Sequence, residues 1–391
     1  MDSKINENKI LNAILNFEIK EIDSETRFWM IRTKKGYFYD EFIANRFVAV
    51  AWNIITKDTV ISEQTKGTIA NRILTDYPGI KRPTTAINKC VSFINEIKEN
   101  DIIVIPSEGS RYITFARAGE YYEEKENTVE VEKTVIDSIE NNTVLINEIA
   151  CPYLKRRHID IIMTVKSEDL NPNLFRAISN HHGISNLDGY AKNILSTIYN
   201  VYTYKNDINI VFNVRKTGPI SPRLLSGILY GVSDYLSKLE IEDEKISTQI
   251  NINSPGPIDF NIIGIFNTVK DAFPYLFGLL VMVGGGSAFA FKVPGVIDII
   301  KEILLLPEEK RKMQAEAEGI ELDNLKKKVE IYNEIKSLGI QPENLVGSID
   351  TIAQNAELLD VQPLENNNHP VTEPIPETSV EDQPEDEPED E

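Results

Sequence analysis

The sequence predicts an α+β protein: an N-terminal strand-rich region with inserted helices, then a small β-α-β module, a mostly helical C-terminal region and a disordered acidic tail. Short β-branched and aromatic runs, bounded by Gly, Pro, Asn or Asp, crowd residues 27–166. Helical spacing of apolar residues dominates beyond Pro222. Residues 365–391 hold eleven Asp or Glu and no Lys or Arg.

The first segment, residues 1–22, has Ile10, Leu11, Ile14, Leu15 and Phe17 at helical spacing and predicts a leading helix. Residues 23–180 follow as a strand-rich unit. FWMIRT, FVAVAW, DIIVIP and YITFARAGEYY read as strands, with a helical interruption over 64–100 where Ala86, Cys90, Phe93 and Ile97 recur every three or four residues. TVEVEKTVID, NTVLINEI and HIDIIMTVK carry further strand signals, and the chain turns helical after Lys166. Residues 181–256 form the mixed module, with INIVFNV a strand, a helix after Pro222 and KISTQININ a second strand. Residues 257–306 read as an apolar helical segment. Residues 307–362 read as amphipathic helices for self-association or partner binding, with Gly339 a C-terminal cap. Residues 363–391 are the acidic tail, too poor in apolar groups to offset the entropy of ordering.

Composition narrows the function. The formal charge of −20 opposes a polyanionic ligand. Removing the eleven charges of 365–391 leaves about −9 for the other residues, so binding would depend on local basic groups. Two cysteines, Cys90 and Cys151, give no disulfide framework and point to a reducing, cytoplasmic setting. The N-terminus lacks the apolar core of a secretory signal.

Four segments together carry a resemblance: Arg27 to Arg32 (RFWMIR), Phe47 to Trp52 (FVAVAW), Asp101 to Pro106 (DIIVIP) and Ser107 to Tyr112 (SEGSRY), with AxAGEYY after the last. With Arg156 to Asp160 (RRHID) and Ser167 to Pro172 (SEDLNP), they resemble the PUA-like, EVE-related domain of Mrr-type restriction endonucleases and related defence proteins, over about residues 25–180. The resemblance implies a small β-barrel holding a base, often a modified one, in an aromatic pocket. The matching positions are Trp52, Asn53, Pro106, Ser107, Ser110, Arg111 and Tyr112, with Trp29 and Tyr121 in support. A flipped base needs aromatic faces and a few hydrogen bonds to its edges. A strand tryptophan, however, is more often core than platform. Lys155, Arg156, Arg157 and His158 form the densest basic run of this half and would contact phosphates, or else mark a solvated strand entry.

A catalytic half is not legible. A nuclease of that kind needs an acidic residue and a Glu-x-Lys pair on adjacent strands. The three Glu-Ile-Lys triplets, at 18–20, 96–98 and 334–336, all fall in helical patterns. His158, His181, His182 and His369 lack zinc-ligand spacing, and Gly284 to Gly286 lack the Lys-Ser/Thr of a phosphate loop. The expectation is a non-enzymatic reader without cofactor or metal, binding DNA rather than RNA in a restriction-like antiviral system. An alternative comes from residues 273–291, nineteen consecutive uncharged residues. Inserted in lipid, they would make the chain a membrane-associated effector or signalling adaptor.

Overall fold

A computed structural model describes residues 2–32, 34–141, 150–180, 183–250, 256–264, 274–283, 296–307 and 320–362. The fold is α+β, with two sheets.

The larger sheet contains β2 (Phe28–Arg32), β3 (Phe47–Val50), β4 (Ile102–Pro106), β5 (Tyr112–Glu123), β6 (Lys155–Lys166) and β7 (Gly183–Asn186). Its order is β3-β6-β5-β4-β2-β7, and it curls into a half-barrel. Only β2 and β4 run parallel. The long pair β5 and β6 bends at two register shifts, between Phe115 and Ala116 and between Ala118 and Tyr121. Such bulges raise the local twist and let a sheet close on itself. One buried cluster on this sheet gathers Trp29, Ile31, Phe47, Ile103 and Ile105 with Phe38 and Phe42.

Helices decorate this sheet. Among them are α2 (Tyr39–Asn45), α3 (Glu63–Asp76), α4 (Pro83–Val91), continued by a π turn at Ser92–Glu96, and α5 (Val129–Glu140). The segment TVEVEKTVID is therefore helix, not strand. Thr128 caps it by accepting from Val131 N, and Glu132, Ile136 and Ile139 fall on one face at helical spacing, which outweighs the short Val-Glu-Val alternation. Residues 142–149, which hold the neighbouring strand signal, lie outside the described residues.

The smaller sheet reorders the rest of the chain. It contains β1 (Lys20–Ile22), β8 (Val201–Tyr204), β9 (Asp207–Val214), β10 (Ile246–Ile250) and β11 (Gly256–Ile262), in the order β1-β8-β9-β11-β10. The leading segment is thus α1 (Asp2–Leu15) plus a strand, and β1 pairs in parallel with β8. The β-α-β module gains a strand. β11, read from sequence as the start of an apolar helical segment, inserts between β9 and β10 and runs antiparallel to both. Its Ile258, Phe260 and Ile262 alternate with Asp259 and Asn261, which puts one side in the core.

Two helices, α6 (Pro172–Asn180) and α7 (Ala191–Ile198), lie between the sheets. Leu174, Ile178, Ile194 and Leu195 share a core with Phe28, Met30 and Phe115 of one sheet and with Tyr202, Tyr204 and Val211 of the other. The opposite face of the smaller sheet is covered by α1, α8 (Pro222–Ser237), α9 (Pro274–Val283), α10 (Val296–Leu304), α11 (Ile320–Ser337) and α12 (Val346–Leu358).

Within the segment 273–291, Leu276, Phe277, Leu279 and Leu280 are fully buried in this core. No described helix is long and apolar enough to cross a membrane. Gly284 to Gly286, His181, His182, His369 and the tail 363–391 all lie outside the described residues.

Candidate functional site

After β3 the chain makes a tight turn over residues 51–55. Trp52 there has φ +67°. In this left-handed conformation the Cβ of an L residue crowds the following carbonyl, at a cost of about 1–2 kcal/mol. For a bulky residue such a conformation persists only where neighbours over-determine it.

The neighbours are two buried charges. The Glu132 carboxylate of α5 accepts from Trp52 N and Asn53 N, each at 2.7 Å, and from the Tyr77 hydroxyl at 2.5 Å. From β6 the Lys155 ammonium donates to Trp52 O at 2.8 Å and Ile55 O at 3.0 Å. The Asn53 amide donates to the carbonyls of Asn127, Thr128 and Pro152, and its oxygen accepts from Leu154 N. Burial pushes the Glu132 carboxyl up and pulls the Lys155 ammonium down, with each charge opposing the shift of the other. The Trp52 ring is half-buried. It packs against both the barrel core and a small helical core of Ile55, Ile73, Ile87 and Cys90. Trp52 is thereby a rigid aromatic group with part of its surface open.

Other members of the expected pocket fall elsewhere. Trp29 is 2% exposed, its indole N–H donating to Asp101 Oδ2 at 3.0 Å, so it is a core residue. Tyr121 hydrogen-bonds Glu123 at 2.7 Å beside Phe93, at the same end of β5 as the Trp52 turn. Pro106, Ser107, Ser110, Arg111 and Tyr112 lie at the other end of β5. Ser107 Oγ accepts from Tyr112 N at 2.9 Å, which closes the turn, and Arg111 lies 5.6 Å from the Tyr112 ring centre. The expected set therefore divides into two groups bordering one aromatic core.

The basic run divides as well, because successive strand residues face opposite sides. Lys155 is 0% exposed and Arg157 4%. Arg157 donates to the carbonyls of Gly119, Phe93 and Ile97. These two cations brace the barrel, and their donors point at backbone rather than at a phosphate. Arg156 lies 4.4 Å over the Phe47 ring and donates to Tyr153 O and Cys151 O, whereas exposed His158 stacks on Tyr122 at 4.4 Å. Of the four, Arg156 and His158 keep access to solvent.

A different cationic group gathers at the Tyr112 end. Arg32 closes β2, and its Nη2 donates to Ser110 Oγ at 2.5 Å, while its buried Nε has no partner among the described residues. Its strand partner is Gly183, and the Lys89 ammonium of α4 lies 2.6 Å from where a Gly183 Cβ would stand. Burial pulls both Arg32 and Lys89 below their ordinary values. The surrounding backbone is strained. Lys34, Lys35 and Ser110 all have positive φ, and a Cβ on Gly36 would stand 2.6 Å from Glu108 N. Beneath them, a buried hydroxyl chain links Tyr39, Thr114 and Thr164, with the Tyr39 phenol pushed up to about 12 by burial.

Burial pushes the Cys90 thiol up to about 11 and raises that of Cys151 as well, so neither is a thiolate near neutrality. Among the described residues no group of three His, Cys, Asp or Glu could hold a metal ion. Glu132, Tyr77, Arg32 and Lys89 escaped the sequence reading. One Glu in an acidic helix and one Lys in an amphipathic one carry no local signal, whereas Arg32 stood inside the FWMIR motif. Compared with protein-family models, with curated proteins and with solved structures, the chain matches none.

Proposed function

We propose that the half-barrel is a PUA-like, non-enzymatic nucleic-acid reader in which Trp52 is the platform for one base. The observation that carries this reading is the left-handed Trp52, clamped between buried Glu132 and Lys155 while part of its ring stays open. Burying two charges to hold one strained aromatic is costly for mere core packing. It suits a stacking surface, because a rigid ring loses little entropy when a base settles on it. Arg156 and His158 on one side of the sheet, and Arg32, Lys89 and Arg111 at the far end of β5, would supply phosphate contacts in a chain of negative net charge. DNA, a modified base and a restriction-like defence role come from the sequence resemblance, which is an argument by analogy.

Affinity tests the platform. Stacking on one aromatic contributes about 1–3 kcal/mol, so Trp52→Ala weakens oligonucleotide binding by about 5- to 150-fold, while Trp52→Phe retains most of it. Equal affinity of wild type and Trp52→Ala, with unchanged thermal unfolding, rules the platform out.

A further inference from the structure

The last described residue, Gln362, is linked by a chain of contacts to the cationic end of the half-barrel. Gln362 N donates to Asn213 O at 2.9 Å and Arg215 N donates to Asp360 O at 3.1 Å. Arg215 pairs in turn with Asp169, whose short turn follows directly from β6, and Ser167 N in that turn donates to Arg111 O at 3.0 Å. Lys166 is the strand partner of Tyr112. The chain thus leaves the described fold linked to the Arg111 and Lys166 side of the end of the sheet that Arg32, Lys34, Lys35 and Lys89 also share. Four carboxylates share that end: Glu108, Glu140 paired to Lys34 at 2.5 Å, Glu168 near Lys166 at 3.8 Å, and Asp169 paired to Arg215. The cations are in excess, and Arg32 and Lys89 are half-buried.

The sequence that follows is the most acidic of the chain, with eight Asp or Glu in residues 381–391. At about 3.3–3.6 Å per residue, the stretch from 363 to 381 can span up to ~60 Å, ample to return to the surface it has just left. Tethering also gives it an effective concentration that a free ligand must exceed. We propose that the acidic segment 365–391 occupies the cationic end around Arg32 and Lys89 and competes there with polyanionic ligands. The competition rests on the nucleic-acid reading; the occupancy stands without it. The same segment would then exclude weakly bound, non-specific polyanions and yield to a ligand that also engages the pocket.

Two measurements on the full chain separate these layers. Zero-length carbodiimide crosslinking at low protein concentration, mapped by mass spectrometry, is expected to join Lys35 or Lys89 to carboxylates of 381–391, and to lose those links at high salt. Absence of such links overturns the inference. The second measurement compares binding of a labelled single-stranded oligonucleotide by the wild type and by a variant whose eight acidic residues in 381–391 are changed to Gln or Asn. The variant is expected to bind at least tenfold more tightly at low salt, with the gap closing as salt rises. Equal affinities overturn the competition. Crosslinks without oligonucleotide binding by either chain leave the occupancy standing and sink the nucleic-acid reading instead; tight, equal binding without crosslinks does the reverse.

Discussion

Glu132 fixes three donors with one carboxylate: two backbone N–H groups and the Tyr77 hydroxyl. A Gln in its place offers one oxygen and turns an amide donor toward donors. Glu132→Gln therefore costs about 2–4 kcal/mol, seen as a lower midpoint in urea, and frees the Trp52 turn. Asp259 is the opposite kind of residue. Its Oδ1 is buried with no hydrogen-bond partner among the described residues, and burial, opposed only in part by Ser196 and Lys192, pushes its pKa up to about 6 from 3.8. The folded state then holds a proton that the unfolded chain releases, so the penalty is absent below about pH 4, grows as pH rises and is complete above about pH 6. Asp259→Asn should stabilise the protein by about 2 kcal/mol at pH 7.5 and by little at pH 4. Thermal unfolding at the two pH values checks this; equal gains at both contradict it. Neither role was legible in the sequence, because desolvation depends on what the fold brings above a residue.

Among the elements, strands with several β-branched or aromatic residues between turn signals were legible: β2, β3, β4, β5 and the longer part of β6. Misread elements share a physical cause. In α5 a local Val-Glu-Val alternation competes with a capped amphipathic helix, and the helix prevails because its buried face carries Glu132 against the Trp52 turn. In β11 the apolar residues at Ile258, Phe260 and Ile262 alternate, yet the strand begins at Gly256-Pro257 and precedes an unusually apolar stretch. Helix packing adds a testable contact. Gly231 of α8 sits against α12, where a Cβ would meet Ile352 Cγ1 at 2.8 Å. Gly231→Val should force the two helices apart and destabilise the fold by about 1–3 kcal/mol. Unchanged stability in urea would show that Ile352 yields without cost.

For the molecule as a whole, sequence order and spatial order differ. The N-terminal α1 and β1 belong with the smaller sheet, so the half-barrel is enclosed within the chain of the other unit. Ile10, Leu11 and Ile14 are buried there, and Lys328 of α11 bonds Glu7 of α1 and Glu302 of α10. Each buried aliphatic contributes about 1.5–3 kcal/mol, so a chain lacking residues 1–22 should lose several kcal/mol and unfold the smaller sheet first. Hydrogen exchange on β8 and β9 reads this directly, and unchanged protection there would contradict it. Such long-range closure leaves no local mark, which is why the leading segment read as a separate helix.

The sequence contains two tryptophans, and the fold gives them opposite settings: Trp29 is buried in the barrel core and Trp52 is half-open at the turn. Titrating the full chain with short oligonucleotides, with and without modified bases, while following tryptophan emission therefore tests the platform most directly. A base stacked on Trp52 should give saturable quenching of one component, and Trp52→Phe should abolish that quenching while leaving binding by anisotropy largely intact. Saturable binding with Trp52 emission unchanged would contradict the account.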